Sequence, residues 1–245
     1  MTALLTTANW DSNHWLDEFA KAAPQRTVHI NGVDSYDPAE VLYALTWKPP
    51  EGLLRTLPNL KVIFNLGAGV DALLSDTDLP DVPIVRLVDD NLTWRMGEWV
   101  TLQVLTHHRQ ALHYLAQQKA HEYKDQSLRH VKASELTVGM MGYGVLGQHC
   151  AGILQAIGYE VIAWSRSPKD GGNVPVYAGE EEKAAFLAKT DILVVLLPFT
   201  PATYEILNAD LFRALSQDSP LGGPVIINGG RGGLQNEDDV VAALR

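Results

Sequence analysis

The 245-residue sequence has a single cysteine, Cys150, so no internal disulfide can form. No Cys/His set stands at zinc-ligand spacing either, so no structural metal is expected. Positive charge is also scarce. Against 29 Asp and Glu there are 19 Lys and Arg, a formal net charge of −10, and such a surface repels nucleic-acid backbones and anionic lipid. Neither nucleic acid nor a membrane is expected as a partner. Long apolar runs are missing: the longest, residues 192–198, is far below the roughly 20 residues that span a bilayer. The opening MTALLTTANW lacks the basic start of a signal peptide, and a cytoplasmic protein is expected. The 20 glycines and 13 prolines are scattered between apolar runs, which excludes collagen-like and low-complexity chains. A chain that is 46% hydrophobic and 20% charged remains, long enough for two domains of roughly 100–150 residues each.

Short β-rich runs at residues 3–8, 27–30, 41–46, 61–66 and 83–88 alternate with helix-like stretches at 11–22 and 50–57, where Asp11 is an N-cap and Pro24 a stop signal. That alternation predicts parallel βαβ units closing one α/β domain. From 96 to 118, apolar residues recur at three- and four-residue steps (Val100, Val104, Leu105, Leu112, Leu115), which predicts one long amphipathic helix between two domains. The boundary is expected near residue 100, giving domains 1–99 and 100–245. The polar stretch 119–135 is expected to run over the surface. Four further strands are counted at 136–141, 160–164, 191–197 and 224–228, with a helix at 236–245. The fold class expected is α/β, with two doubly wound parallel-sheet domains.

The strongest chemical signal is Gly142-Tyr143-Gly144-Val145-Leu146-Gly147, between a strand and a helix. In that context a GxGxxG run is a dinucleotide-binding fingerprint. Gly142 allows the tight turn, Gly144 admits the pyrophosphate to the backbone, and Gly147 lets helix and strand pack closely. The helix start, with Val145 and Leu146, offers N–H groups and a partial positive charge. An NAD-selective site places Asp or Glu about 20 residues further on. Here the sequence reads Trp164-Ser165-Arg166-Ser167. Arg166 has the planar fork suited to a phosphate, and Ser165 and Ser167 add hydroxyls, so NADPH is expected in preference to NADH, with NADH possible. Cys150 and His149 are read as helix residues without a chemical role, as are His107, His108 and His113.

Several separated segments agree on a family. Residues 65–74 (NLGAGVDALL), 96–105, 138–147, 164–167, 196–207 and 227–244 (INGGRGGLQNEDDVVAAL) resemble the D-2-hydroxyacid dehydrogenases, most closely their glyoxylate/hydroxypyruvate reductase branch. The resemblance implies a flavodoxin-like substrate domain and a Rossmann dinucleotide domain, with NADPH reducing a small 2-oxo acid to the D-2-hydroxy acid. It also implies that the loop Leu66, Gly67, Ala68 and Gly69 presents backbone N–H groups to the substrate carboxylate. Small residues after a buried strand expose donors at the strand's C-terminal end, where α/β folds bind ligands. Trp47 is a candidate wall of the same pocket. By the same likeness Arg231 is the catalytic residue, binding the oxo acid and polarising its carbonyl. Asn228 and Gly229 would line the nicotinamide side, while Leu197, Pro198 and Thr203 would border the cofactor. A homodimer built through the second domain is implied as well.

The sequence departs from the family at one point. A proton-donating histidine and an orienting glutamate belong downstream of the arginine motif, yet all eight histidines lie at or before His149. The expectation is therefore a chain shortened at its C-terminal side, with an incomplete dinucleotide domain and little or no turnover. The alternative is a non-catalytic dinucleotide-binding sensor or interaction module.

Overall fold

A computed structural model describes residues 1–124 and 130–245, and the chain divides into two compact units, Met1–Asp89 and Asp90–Arg245. The first unit is a five-stranded parallel sheet of β1 (Thr2–Thr7), β2 (Thr27–Ile30), β3 (Val41–Trp47), β4 (Val62–Asn65) and β5 (Ile84–Arg86). Its strand order, β2-β1-β3-β4-β5, is the flavodoxin-like arrangement. Alternation along β1 feeds both faces: Leu4 packs with Val41, Ala44, Leu54, Ile63 and Leu73, while Ala3 and Leu5 pack with Ile30 and Leu45. Helix α1 (Ser12–Ala22) starts where Asp11 accepts a hydrogen bond from the Asn13 amide and stops two residues before Pro24. Its Trp15, Leu16 and Phe19 cover the second of those faces. The expected helix at 50–57 is only a 3₁₀ turn, Leu54–Thr56, because Gly52 takes left-handed backbone angles (φ 74°) inside the stretch and Pro58 follows its end. A one-turn helix, α2 (Asp71–Leu74), follows β4.

The second unit opens with α3 (Asp90–His108), so the expected division near residue 100 falls inside this helix. The single long helix read from the apolar spacing is instead two. Gln110 takes left-handed backbone angles (φ 54°), and α4 (Ala111–Ala120) starts beyond it. Side-chain periodicity continues across such a break, which is why the sequence conceals it. Of the stretch 119–135 expected at the surface, residues 125–129 lie outside the described residues.

The second sheet contains β6 (Thr137–Met141), β7 (Glu160–Ser165), β8 (Val176–Ala178), β9 (Ile192–Val195) and β10 (Val225–Asn228), in the order β10-β9-β6-β7-β8. This is the Rossmann order, with its switch between β6 and β9. Five strands replace the four expected; β8 is a three-residue edge strand too short to show a period. Helix α5 (Val145–Ile157) follows β6, and α6 (Lys183–Leu187), α7 (Ala209–Ala214) and α8 (Glu237–Ala243) complete the unit. Gly147, Cys150, Ala151 and Leu154 form the buried stripe of α5, at i, i+3, i+4 and i+7. Val138 and Met140 face α3 and α5 on one side of the sheet, and Met141 faces the Phe186–Leu211 cluster on the other.

Candidate active site

Parallel strands direct all their C-terminal ends to one edge of the sheet, and in each unit the residues singled out in the sequence stand along that edge. In the second unit, β6 runs straight into the glycine turn. Gly142 has φ +110°, and a Cβ there would stand 2.8 Å from the Leu196 backbone, so no other residue fits the turn. A Cβ on Gly147 would overlap the Gly142 carbonyl oxygen. Gly144 differs: a Cβ on it meets nothing within 4 Å, and it is the N-cap of α5 with no side chain satisfying the helix start. Open space in front of uncapped helix amides is what a pyrophosphate requires, so the residues present fit a dinucleotide. Val145 is exposed beside it and Leu146 is half-buried.

Beyond β7, Arg166 and Ser167 are exposed while Ser165 is buried. The Ser165 hydroxyl donates to the Ser167 carbonyl at 2.6 Å, which shapes the loop and uses the proton expected to serve a ligand. A cation that the sequence reading passed over stands here: Lys169 Nζ donates to the Tyr143 carbonyl, inside the glycine turn, at 2.9 Å. Burial pushes the Tyr143 hydroxyl above its usual range, and the nearby Asp170 carboxylate adds to the shift. After β9, Leu197 is buried in the core and Pro198 is exposed. The Thr203 hydroxyl donates to the Pro198 carbonyl at 2.7 Å, closing the loop.

After β10 comes Asn228-Gly229-Gly230-Arg231. A Cβ on Gly229 would stand 2.9 Å from Leu196 Cδ2, and one on Gly230 would stand 2.9 Å from the Leu197 carbonyl oxygen. The loop is thus pressed against the end of β9. Arg231 is exposed, and its Nη1 donates to the Gly230 carbonyl at 3.1 Å.

In the first unit, β4 ends at Asn65, which is buried. Its Nδ2 donates to the carbonyls of Gly67 (2.6 Å) and Gly69 (3.0 Å), a grip that the sequence reading missed. The Leu66 amide belongs to the ladder, donating to the Thr46 carbonyl at 2.8 Å. Among the described residues no acceptor meets the amides of Gly67, Ala68 or Gly69, so three donors stand in one half-buried loop. The Trp47 ring occupies the space that a Gly67 side chain would need, and it stacks on Trp10 with centroids 4.9 Å apart. No group of three or more His, Cys, Asp and Glu side chains able to hold a metal exists among the described residues. No helix among them is long and apolar enough to cross a membrane.

Fold and turn together define a dinucleotide-binding α/β protein of the Rossmann type. Residues 101–245 match the family described as D-isomer specific 2-hydroxyacid dehydrogenase, NAD binding domain, and the chain belongs to that family. It is 37% identical over 241 residues to glyoxylate/hydroxypyruvate reductase A of Serratia proteamaculans, a match covering 96% of this chain and 74% of the relative. Among solved structures, an NADPH-dependent glyoxylate/hydroxypyruvate reductase from Sinorhizobium meliloti, in complex with NADP and sulfate, superposes with a TM-score of 0.91 at 43% identity. That match covers 99% of this chain and 77% of the other. A D-isomer specific 2-hydroxyacid dehydrogenase from Xanthobacter autotrophicus Py2, in complex with NADPH and MES, gives 0.90 at 38% identity over 99% of this chain and 76% of the other. Fold class and family thus agree with the sequence expectations.

Proposed function

We propose that this chain performs the NADPH-dependent reduction of small 2-oxo acids, glyoxylate and hydroxypyruvate, to D-2-hydroxy acids. The observation that carries the reading is the placement, in a member of this family, of an open glycine turn and an exposed Arg231 at the same C-terminal edge of the second sheet. The backbone of residues 142–147 holds the pyrophosphate on the α5 N-terminus. Arg166 takes the 2′-phosphate through its planar fork, with Lys169 as a second cation beside the turn. The bound nucleotide supplies the hydride. Arg231 binds the oxo acid and stabilises the negative charge that develops on its carbonyl oxygen. In the first unit, the amides of Gly67, Ala68 and Gly69 are donors of the kind that a carboxylate takes, and Trp47 walls that loop.

The alkoxide oxygen needs a proton, and no histidine follows Arg231 in these 245 residues. A general acid at that point contributes about 10²–10⁴-fold in rate. Two further assignments accompany this reading. A cytoplasmic setting supplies reduced nucleotide and keeps the lone Cys150 thiol reduced. A homodimer through the second unit would cover the large apolar side chains that α3 and α4 leave exposed, Trp94, Leu102, Leu112 and Leu115.

The test follows NADPH and NADH oxidation with glyoxylate in the parent and in Arg166→Ala. Arg166 should favour NADPH by about 1.5–3 kcal/mol, the range for hydrogen bonds to charged groups, and the variant should lose that preference. An unchanged preference removes Arg166 from the cofactor site, and failure to bind either nucleotide overturns the function itself.

A further inference from the structure

We infer that Asn228 is a positioning residue for Arg231, acting on the substrate through that side chain and not on the cofactor; this rests on the function proposed above. Asn228 is the last residue of β10, and every hydrogen-bonding group of its carboxamide is engaged nearby. Its Oδ1 accepts from the Gly230 amide at 3.0 Å, and its Nδ2 donates to the Arg231 carbonyl at 3.0 Å and to Gln235 Oε1 at 3.2 Å. Both Nδ2 hydrogens are used, so none is left to donate to a nicotinamide.

The two backbone groups it holds flank the arginine: the amide of the preceding residue and the carbonyl of Arg231 itself. From outside, Gly229 and Gly230 lie too close to Leu196 and to the Leu197 carbonyl to carry a side chain. Backbone at Arg231 is therefore fixed on both sides, from within by Asn228 and from without by the end of β9. The guanidinium continues the same chain of contacts, since Arg231 Nη1 donates to the Gly230 carbonyl at 3.1 Å. An arginine side chain has four rotatable torsions, so a small rotation at its Cα moves the guanidinium by ångströms. A misplacement of about 1 Å can cost about 10²-fold in rate. The carboxamide restrains that rotation beyond the end of β10, together with the first hydrogen bond of the 3₁₀ turn Gly232–Leu234, in which the Arg231 carbonyl also accepts from the Leu234 amide at 3.2 Å.

The experiment uses the whole chain loaded with NADPH and reads its affinity for oxalate, a planar unreactive stand-in for a 2-oxo acid, in a cycle of Asn228→Ala, Arg231→Ala and the double variant. Asn228→Ala is expected to weaken oxalate binding about tenfold, while its affinity for NADPH stays within about twofold. On the Arg231→Ala background the same change is expected to cost nothing further, because a residue that acts through the guanidinium has nothing left to act through. Asn228→Ser, which keeps one short polar group, is expected to lose about threefold, and it replaces Asn228→Ala in the cycle if the latter does not fold. An equal loss on both backgrounds, or a parallel loss of NADPH affinity, overturns the inference and leaves the function standing. Unchanged oxalate affinity in Arg231→Ala alone, or no oxalate binding by the parent, overturns the proposed function and the inference with it.

Discussion

Strands β4 and β10 each end in an asparagine, and in both cases the carboxamide ties down the glycine-rich loop that follows. The two grips have opposite polarity. Asn65 takes hold of carbonyls, those of Gly67 and Gly69, which leaves the amides of that loop without acceptors among the described residues. Asn228 takes up the Gly230 amide as well as the Arg231 carbonyl, which leaves the loop a side chain to offer and little backbone. Burial differs too, since Asn65 is enclosed and Asn228 only half so. One residue type at one position in the fold thus leaves backbone amides without acceptors among the described residues in the first unit and ties down the backbone beside Arg231 in the second.

This contrast is sharpest at Arg231. Arg231→Ala is expected to lower kcat/KM for glyoxylate by about 10²–10³, the cost of removing one donor to a developing oxyanion. The thermal midpoint should hardly move; a large drop would mean that the loop is held by the arginine and not by Asn228. The first unit should behave the other way round. Asn65→Ala removes the donor from the Gly69 carbonyl and leaves that of Gly67 only the Leu87 amide, and it is expected to cost about 1–3 kcal/mol of stability, read by denaturant unfolding, with NADPH affinity unchanged. A smaller cost of the same kind, about 1–2 kcal/mol, is expected for Gly67→Ala, whose new methyl must displace the Trp47 ring. Replacing Trp47 as well should recover part of it.

The smallest effect is confined to the second unit. Burial pushes the Cys150 thiol up to about 11 and the Tyr159 hydroxyl up to about 12. Both groups keep their protons in the folded state at pH values where the unfolded chain has lost them. Stability therefore falls as pH rises, from about 9 for the thiol and from about 10 for the phenol. Cys150→Ala should flatten the part of the alkaline loss between about pH 9 and 11, as followed by thermal unfolding, and leave the first unit's loop unaffected.

Much of this was legible in the sequence. Nine of the strands fall within about two residues of their expected limits, because in a sheet covered on both faces the strands are continuous apolar runs. The glycine turn was legible for a related reason: φ +110° and the approach of Leu196 leave only one residue possible at Gly142. Other features were hidden. The break at Gln110 leaves side-chain spacing intact on both sides, and β8 is three residues on a sheet edge. Lys169 lies 26 positions from the carbonyl it reaches, so no local pattern connects them.

The sequence by itself determined the order of elements, the family and the residue types that chemistry could use, since these depend on apolar period and on backbone conformations few residues can adopt. Only the tertiary structure decided which polar groups remain for a ligand. Ser165, Thr203 and Asn228 were all candidates for contact with a cofactor, and each one's hydrogen bonds go to backbone or side chains of its own loop. A hydroxyl has one proton to give and a carboxamide two, and which acceptor takes them depends on where the folded chain brings its carbonyls.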